Sequence, residues 1–221
     1  MKWLRNLFAV RSQTRQTRQT RIVPRLESLE ERQVPTVTFH GGIVLPNVQV
    51  QAFYYGDQWE NNAALYQETG KFESYLQYLV NSPYMDMLTK AGYNVGRGSS
   101  TPGKGVGVSL NSSSYLEDGA IQQSLQAAIC NGALQPPTSN RLYVVYVEPN
   151  IAVQRSDGST SLASNATGFA GYHATFQLSN GWIAHYAVIP TPYGTVGGVG
   201  NGSANPSLNT FDEMTLASSH E

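Results

Sequence analysis

Cysteine is almost missing from this chain: among 221 residues Cys130 is the sole thiol. No intrachain disulfide can form, and no multi-cysteine zinc site can be built. A metal centre would have to draw on histidine and carboxylate. Long apolar runs are missing as well. The longest near the start is Leu7-Phe8-Ala9-Val10, far below the roughly 18 residues a membrane-spanning helix needs, so no transmembrane segment is expected. Charge is sparse, at 13% of residues with a net value of −1. What the chain does have is 40% hydrophobic residues, 13 tyrosines, 21 glycines and 11 prolines. That composition describes one ordinary-sized domain with many turns and a sizeable core, and it excludes disorder throughout.

The near-zero net charge hides an asymmetry. Met1 to Pro35 carries eight Lys/Arg against three Glu, and the remainder carries six against twelve acids. A basic arm thus precedes an acidic body. Basic arms suit nucleic acid or anionic lipid, but the body offers no matching basic face, so nucleic acid is not expected as a partner. Residues 11 to 21 repeat Arg, Gln, Thr and Ser without an apolar side chain, and nothing there offsets the entropy of ordering. The domain organisation read from this is a disordered basic leader over 1–35 and a single domain over 36–221.

Within the domain, Val48 to Tyr55 alternates with the period of a strand, and Gly56-Asp57 ends it. From Asn62 the period becomes helical. Leu65, Phe72, Leu76, Leu79 and Val80 fall on one face, with Gln67, Glu73 and Gln77 toward water, and Gly70 weakens the helix without breaking it. Pro83 restarts a short helix that stops near Gly92. After a Gly/Ser-rich stretch over 96–107, a strand is expected at Val106 to Leu110. Ser114 to Glu117 has the form of a capping box, ahead of a helix with an apolar stripe at Ile121, Leu125, Ala128 and Ile129. Cys130 lies next to that stripe and reads as a small buried residue. Leu142 to Val147 reads as a central strand covered on both faces. Tyr172 to Leu178 and Trp182 to Ile189, joined by Ser179-Asn180-Gly181, form a hairpin. Strands alternating with helices and ending in an antiparallel pair give an α+β or mixed α/β fold.

The C-terminal stretch carries the chemistry. Thr210-Phe211-Asp212-Glu213 is a second capping box, so a helix is expected from Phe211, with two acids suiting its positive end. It runs to Ser219-His220-Glu221. His-Glu on a helix is how a zincin motif opens: the first His binds zinc, the Glu polarises the metal-bound water, and a second ligand follows one turn later. A catalytic zinc takes three protein ligands and an open position, and His220 alone cannot hold it. His173 and His185 lie on the two arms of the hairpin and are not directly opposite each other. For both, a hydrogen-bonded strand histidine is the plain reading. His40 reads as a loop or strand-end residue. Gly198 to Gly202 is glycine-rich but lacks the strand-to-helix context and Lys-Ser/Thr ending of a phosphate loop, and reads as a flexible loop. No Gly-x-Ser-x-Gly elbow is present.

Two resemblances follow from these residues. Leu26 to Pro35, with the pattern Leu-Glu-x-Leu-Glu-x-Arg-x-x-Pro, resembles a leader found in bacterial proteins assigned to the cell exterior, and implies an extracellular or cell-surface location. A merely solvated charged linker is the alternative. The segments Gly41-Gly42, Val48 to Tyr55, Asn81 to Tyr84, Leu142 to Pro149, Gly171-Tyr172-His173, Tyr186 to Pro190 and Phe211 to Glu221 together resemble the phosphate-induced, EXORDIUM-like family and its bacterial relatives. That resemblance implies a zincin-like sheet with packing helices, a hairpin and a C-terminal His-Glu helix. It also implies relation to zinc-dependent peptidases, with His220 as the first zinc ligand and Glu221 as the catalytic general base. Family members continue the motif beyond the Glu. The expectation here is therefore a C-terminally truncated domain in which zinc belongs to a full-length relative and is not held stably by this chain, with little or no hydrolase activity. The competing class is a non-catalytic extracellular module whose Tyr-rich strands stack on carbohydrate or peptide.

Overall fold

The computed structural model describes residues 44–112, 114–161, 168–192, 195–196, 199–200 and 208–221. The basic leader over 1–35, His40 and Gly41-Gly42 lie outside them. In chain order the elements are β1 (Gln49–Tyr55), α1 (Gln58–Asn61), α2 (Ala63–Asn81), α3 (Pro83–Lys90), β2 (Ser99–Val106), β3 (Leu116–Glu117), α4 (Asp118–Cys130), β4 (Arg141–Val147), β5 (Val153–Gln154), β6 (Tyr172–Gln177), β7 (Ile183–Pro190), β8 (Thr195–Val196), β9 (Val199–Gly200) and α5 (Thr210–His220).

Five strands form one sheet in the order β2-β1-β4-β7-β6. The first four run parallel, and β6 closes one edge antiparallel to β7. Parallel neighbours need crossovers; α2 and α3 carry the chain from β1 to β2 and α4 lies on the return to β4, whereas β4 reaches β7 by way of β5 and β6. Alternation along the strands then sorts the core into two layers. Val50, Ala52, Tyr54, Val144, Tyr146 and Ile189 meet α2, α3 and α5 on one face. Phe53, Tyr55, Val145, Val147, Tyr186 and Val188 meet α4 on the other. The sheet is thus covered on both faces by helices, a mixed α/β arrangement that agrees with the expected class. Its middle strands β1 and β4 are buried on both sides, as the unbroken apolar run over 142–147 requires.

Local signals explain most boundaries. The Asn62 side chain accepts hydrogen bonds from the Ala64 and Leu65 amides and starts α2, and the Ser82 side chain accepts from Tyr84 to start α3 with Pro83 in its first turn. Gly70 sits inside α2 with nothing near it, so the helix passes through. The hairpin over β6 and β7 is in register around Gly181, whose φ of +87° suits the tight turn.

Several expectations are corrected. The strand near 106–110 lies earlier, at Ser99–Val106, because pairing with β1, not local β-propensity, fixes it. No capping box starts α4. Leu116–Glu117 pairs instead with Val153–Gln154, and the helix begins at Asp118 with no side-chain cap from Glu117. Cys130 is exposed, since five residues beyond Leu125 the helix has turned it away from the apolar stripe. Glu73 does not simply face water; its Oε1 accepts the Gly103 amide at 3.0 Å across to β2. Part of the glycine-rich segment near 200 is regular, with Thr195–Val196 and Val199–Gly200 paired antiparallel.

Candidate functional site

Position on the sheet decides where the His-Glu pair ends up. α5 starts one residue earlier than expected, at Thr210, capped by the Asn209 side chain, which accepts the Asp212 amide at 2.9 Å. Thr210 is therefore the first helical residue and not the cap. Two hydroxyls then hold the helix to its neighbours. The Tyr75 hydroxyl of α2 donates to the Thr215 carbonyl at 2.6 Å, and Tyr146 of β4 shares a 3.1 Å hydrogen bond with Ser218 Oγ. Burial pushes the Tyr146 hydroxyl far above its usual pKa and keeps it neutral. Phe211 and Met214 pack into the aromatic layer, with Phe211 and Phe72 ring centres 4.9 Å apart. Packing thus fixes the start of α5 in the core and the two hydroxyls hold its middle and later turns, so that His220 and Glu221 come out at a set place beside the sheet.

That last turn lines a groove of about 550 Å³ with Tyr84, Phe169, Gly171 and Glu213. His220 lines it and is exposed; Glu221 lines it and is largely covered. Glu213, read from the sequence only as a first-turn acid, is buried beneath the same groove. The β6 edge supplies the remaining piece. Tyr172 points into the core, where its hydroxyl donates to Asp118 Oδ1 at 2.6 Å. Tyr186 donates to the same oxygen at 2.7 Å, and Gln122 Nε2 donates to Oδ2 at 2.7 Å. Burial, and next the hydrogen bond to Asp118, hold the Tyr172 hydroxyl protonated well above the ordinary range. With Tyr172 anchored on one face, alternation turns His173 to the other, toward α5. There His173 Nδ1 lies 2.7 Å from Glu221 Oε2. The imidazole is 69% exposed and the glutamate side chain only 9%.

Of the sequence-derived candidates, the fold brings His220 and Glu221 to one groove, joins His173 to Glu221 from the β6 edge, and leaves His185 out. His185 pairs in register with Thr175, two positions from His173, and lines a separate groove with Trp182 and Ser139 at the hairpin end. Partial burial lowers its pKa below the usual histidine value. The contact between His173 and Glu221 spans 48 positions and no local pattern announces it. Gly171-Tyr172-His173 at a strand start was the only hint in the sequence.

The donor set can be weighed against zinc. Among the described residues, no group of three or more His, Cys, Asp and Glu side chains is disposed to hold a metal ion. His220 contributes one imidazole where a catalytic zinc takes three protein ligands, and the Glu221 carboxylate is engaged by His173. The described residues do not fit a complete zinc centre, and no chemical step is assigned through the metal.

No family model matches the sequence, and no curated protein matches it at a significant level. Among solved structures, metalloproteinase-II from Bacteroides fragilis overlaps 78% of this chain and 54% of its own, with a TM-score of 0.30 and 10% identity. The chain spans about half the length of that structure. The resemblance to the EXORDIUM-like family accordingly stands on the motif residues alone.

Proposed function

We propose that this chain is an exported, zincin-like domain related to zinc-dependent peptidases of the EXORDIUM-like kind. His220 occupies the position of the first metal ligand and Glu221 that of the general base. The observation that carries the reading is the placement of the His-Glu pair: the last turn of α5 opens onto a groove of about 550 Å³, and both residues line it. A peptide is the substrate class that suits the surroundings. Among the described residues β6 is an edge strand that begins beside this groove, and the outer side of such a strand is what an extended peptide pairs with. Export rests on the Leu26 to Pro35 pattern.

With His220 the single imidazole at this groove, the reading predicts weak zinc uptake through His220, and no peptide hydrolysis is assigned to this donor set. Equilibrium dialysis against zinc tests the reading without relying on activity. Uptake by the wild-type chain is expected to fall to background in His220→Ala and to stay unchanged in His185→Ala. Equal uptake by wild type and His220→Ala would overturn it.

A further inference from the structure

We infer that Gly171 and His173 form a seat that fixes the Glu221 carboxylate, with His173 a positioning residue for the proposed general base; this rests on the reading of Glu221 given above. Two independent contacts build the seat. The first is the 2.7 Å hydrogen bond from His173 Nδ1 to Glu221 Oε2. Its exposures are lopsided, 69% for the imidazole and 9% for the carboxylate. A ring left so open does not serve to fill the core, whereas a carboxylate so removed from water needs a donor to compensate its lost hydration.

The second contact is the space above Gly171. A Cβ at that position would stand 3.2 Å from Glu221 Cγ, 3.3 Å from Glu221 Oε1 and 3.0 Å from Ile189 Cδ1. Gly171 is not among the glycines with positive φ, so its backbone does not demand glycine. The missing side chain provides room, and Glu221 occupies it. Between the two, Tyr172 is locked to Asp118 in the core, which leaves the seat little freedom to drift.

The arrangement sets the two carboxylate oxygens apart. His173 engages Oε2. Oε1 makes no hydrogen bond among the described residues and packs over the bare α-carbon of Gly171. The same contact dictates the tautomer of the neutral ring: a carboxylate at Nδ1 requires the proton on Nδ1.

Nitrogen-15 NMR of the imidazoles, at a pH where His173 is neutral, reads that tautomer directly. The wild-type chain is expected to carry the proton on Nδ1. Glu221→Ala and Gly171→Ala are expected to lose that signature. The Glu221 carboxyl carbon resonance is expected to move in His173→Ala and to return in His173→Asn, whose amide can donate from nearly the same place. An Nε2-protonated ring in the wild type, or a carboxyl resonance indifferent to His173→Ala, overturns the seat. The seat and the function fail separately. His220-dependent zinc uptake with the wrong tautomer overturns the seat alone. The Nδ1 tautomer without His220-dependent uptake supports the seat and overturns the metal reading.

Discussion

Glu148 follows β4 with its carboxylate folded back over Gly56, whose φ of +125° and bare α-carbon leave it room. It is 1% exposed, and Oε2 accepts the Gln58 amide at 2.8 Å. Burial raises its pKa, the Gln58 hydrogen bond lowers it in part, and the Asp57 charge raises it further. A carboxyl whose folded pKa lies above its unfolded value favours folding when protonated. That contribution is complete below the unfolded pKa and is lost as pH rises through the folded one. Glu148→Gln keeps an acceptor for Gln58 and removes the buried charge. Thermal melts at pH 8 are expected to show the variant more stable than wild type, with the gain disappearing below about pH 4, where the unfolded glutamates are protonated too. A clear loss of stability at pH 8 would mean that the charge itself holds this turn. None of this was legible at Glu148 in the sequence, because the Gln58 amide that binds it comes from 90 positions away. Cys130 was misread for a related reason: adjacency to an apolar stripe is not membership of it, and two residues past Ala128 the helix faces water.

Elements were legible where a local signal and the tertiary environment agree. α2, β4 and the Asn-Gly hairpin are such cases, since periodicity, apolar run and turn chemistry each match what the neighbours bury. β2 was misplaced because its residues, Ser-Ser-Thr-Pro-Gly-Lys-Gly-Val, have little strand preference, and the adjacent β1 recruits them by pairing. The start of α5 shows a smaller error of the same kind. Thr210 and Asn209 are both cap residues, and only the geometry selects Asn209, which accepts the Asp212 amide. Asn209→Ala should therefore cost about 1 kcal/mol, a fall of roughly 2–4 °C in melting temperature for a domain of this size. Amide exchange in the first turn of α5 should quicken, while the hydroxyl anchors at Tyr75 and Tyr146 hold the later turns. Thr210→Ala should have little such effect. The reverse ranking would place the cap at Thr210.

At the scale of the whole molecule, a mixed sheet carries α2, α3 and α5 on one face and α4 on the other, and the candidate site forms where α5 leaves the sheet beside the β6 edge. The sequence identified His220 and Glu221 as a motif and placed them on a helix. It did not disclose that Gly171 and His173 would meet Glu221, because that depends on how β6 joins β7 and how α5 lies across the layer. The account turns on whether the end of α5 is one half of a metal clamp. Zinc titrated into the chain while all imidazole resonances are followed by NMR tests this most directly. The account predicts that the first and largest change falls on His220, with a smaller one on His173 through Glu221 and none on His185. A first response at His185 or His40, or no response at His220, would contradict it.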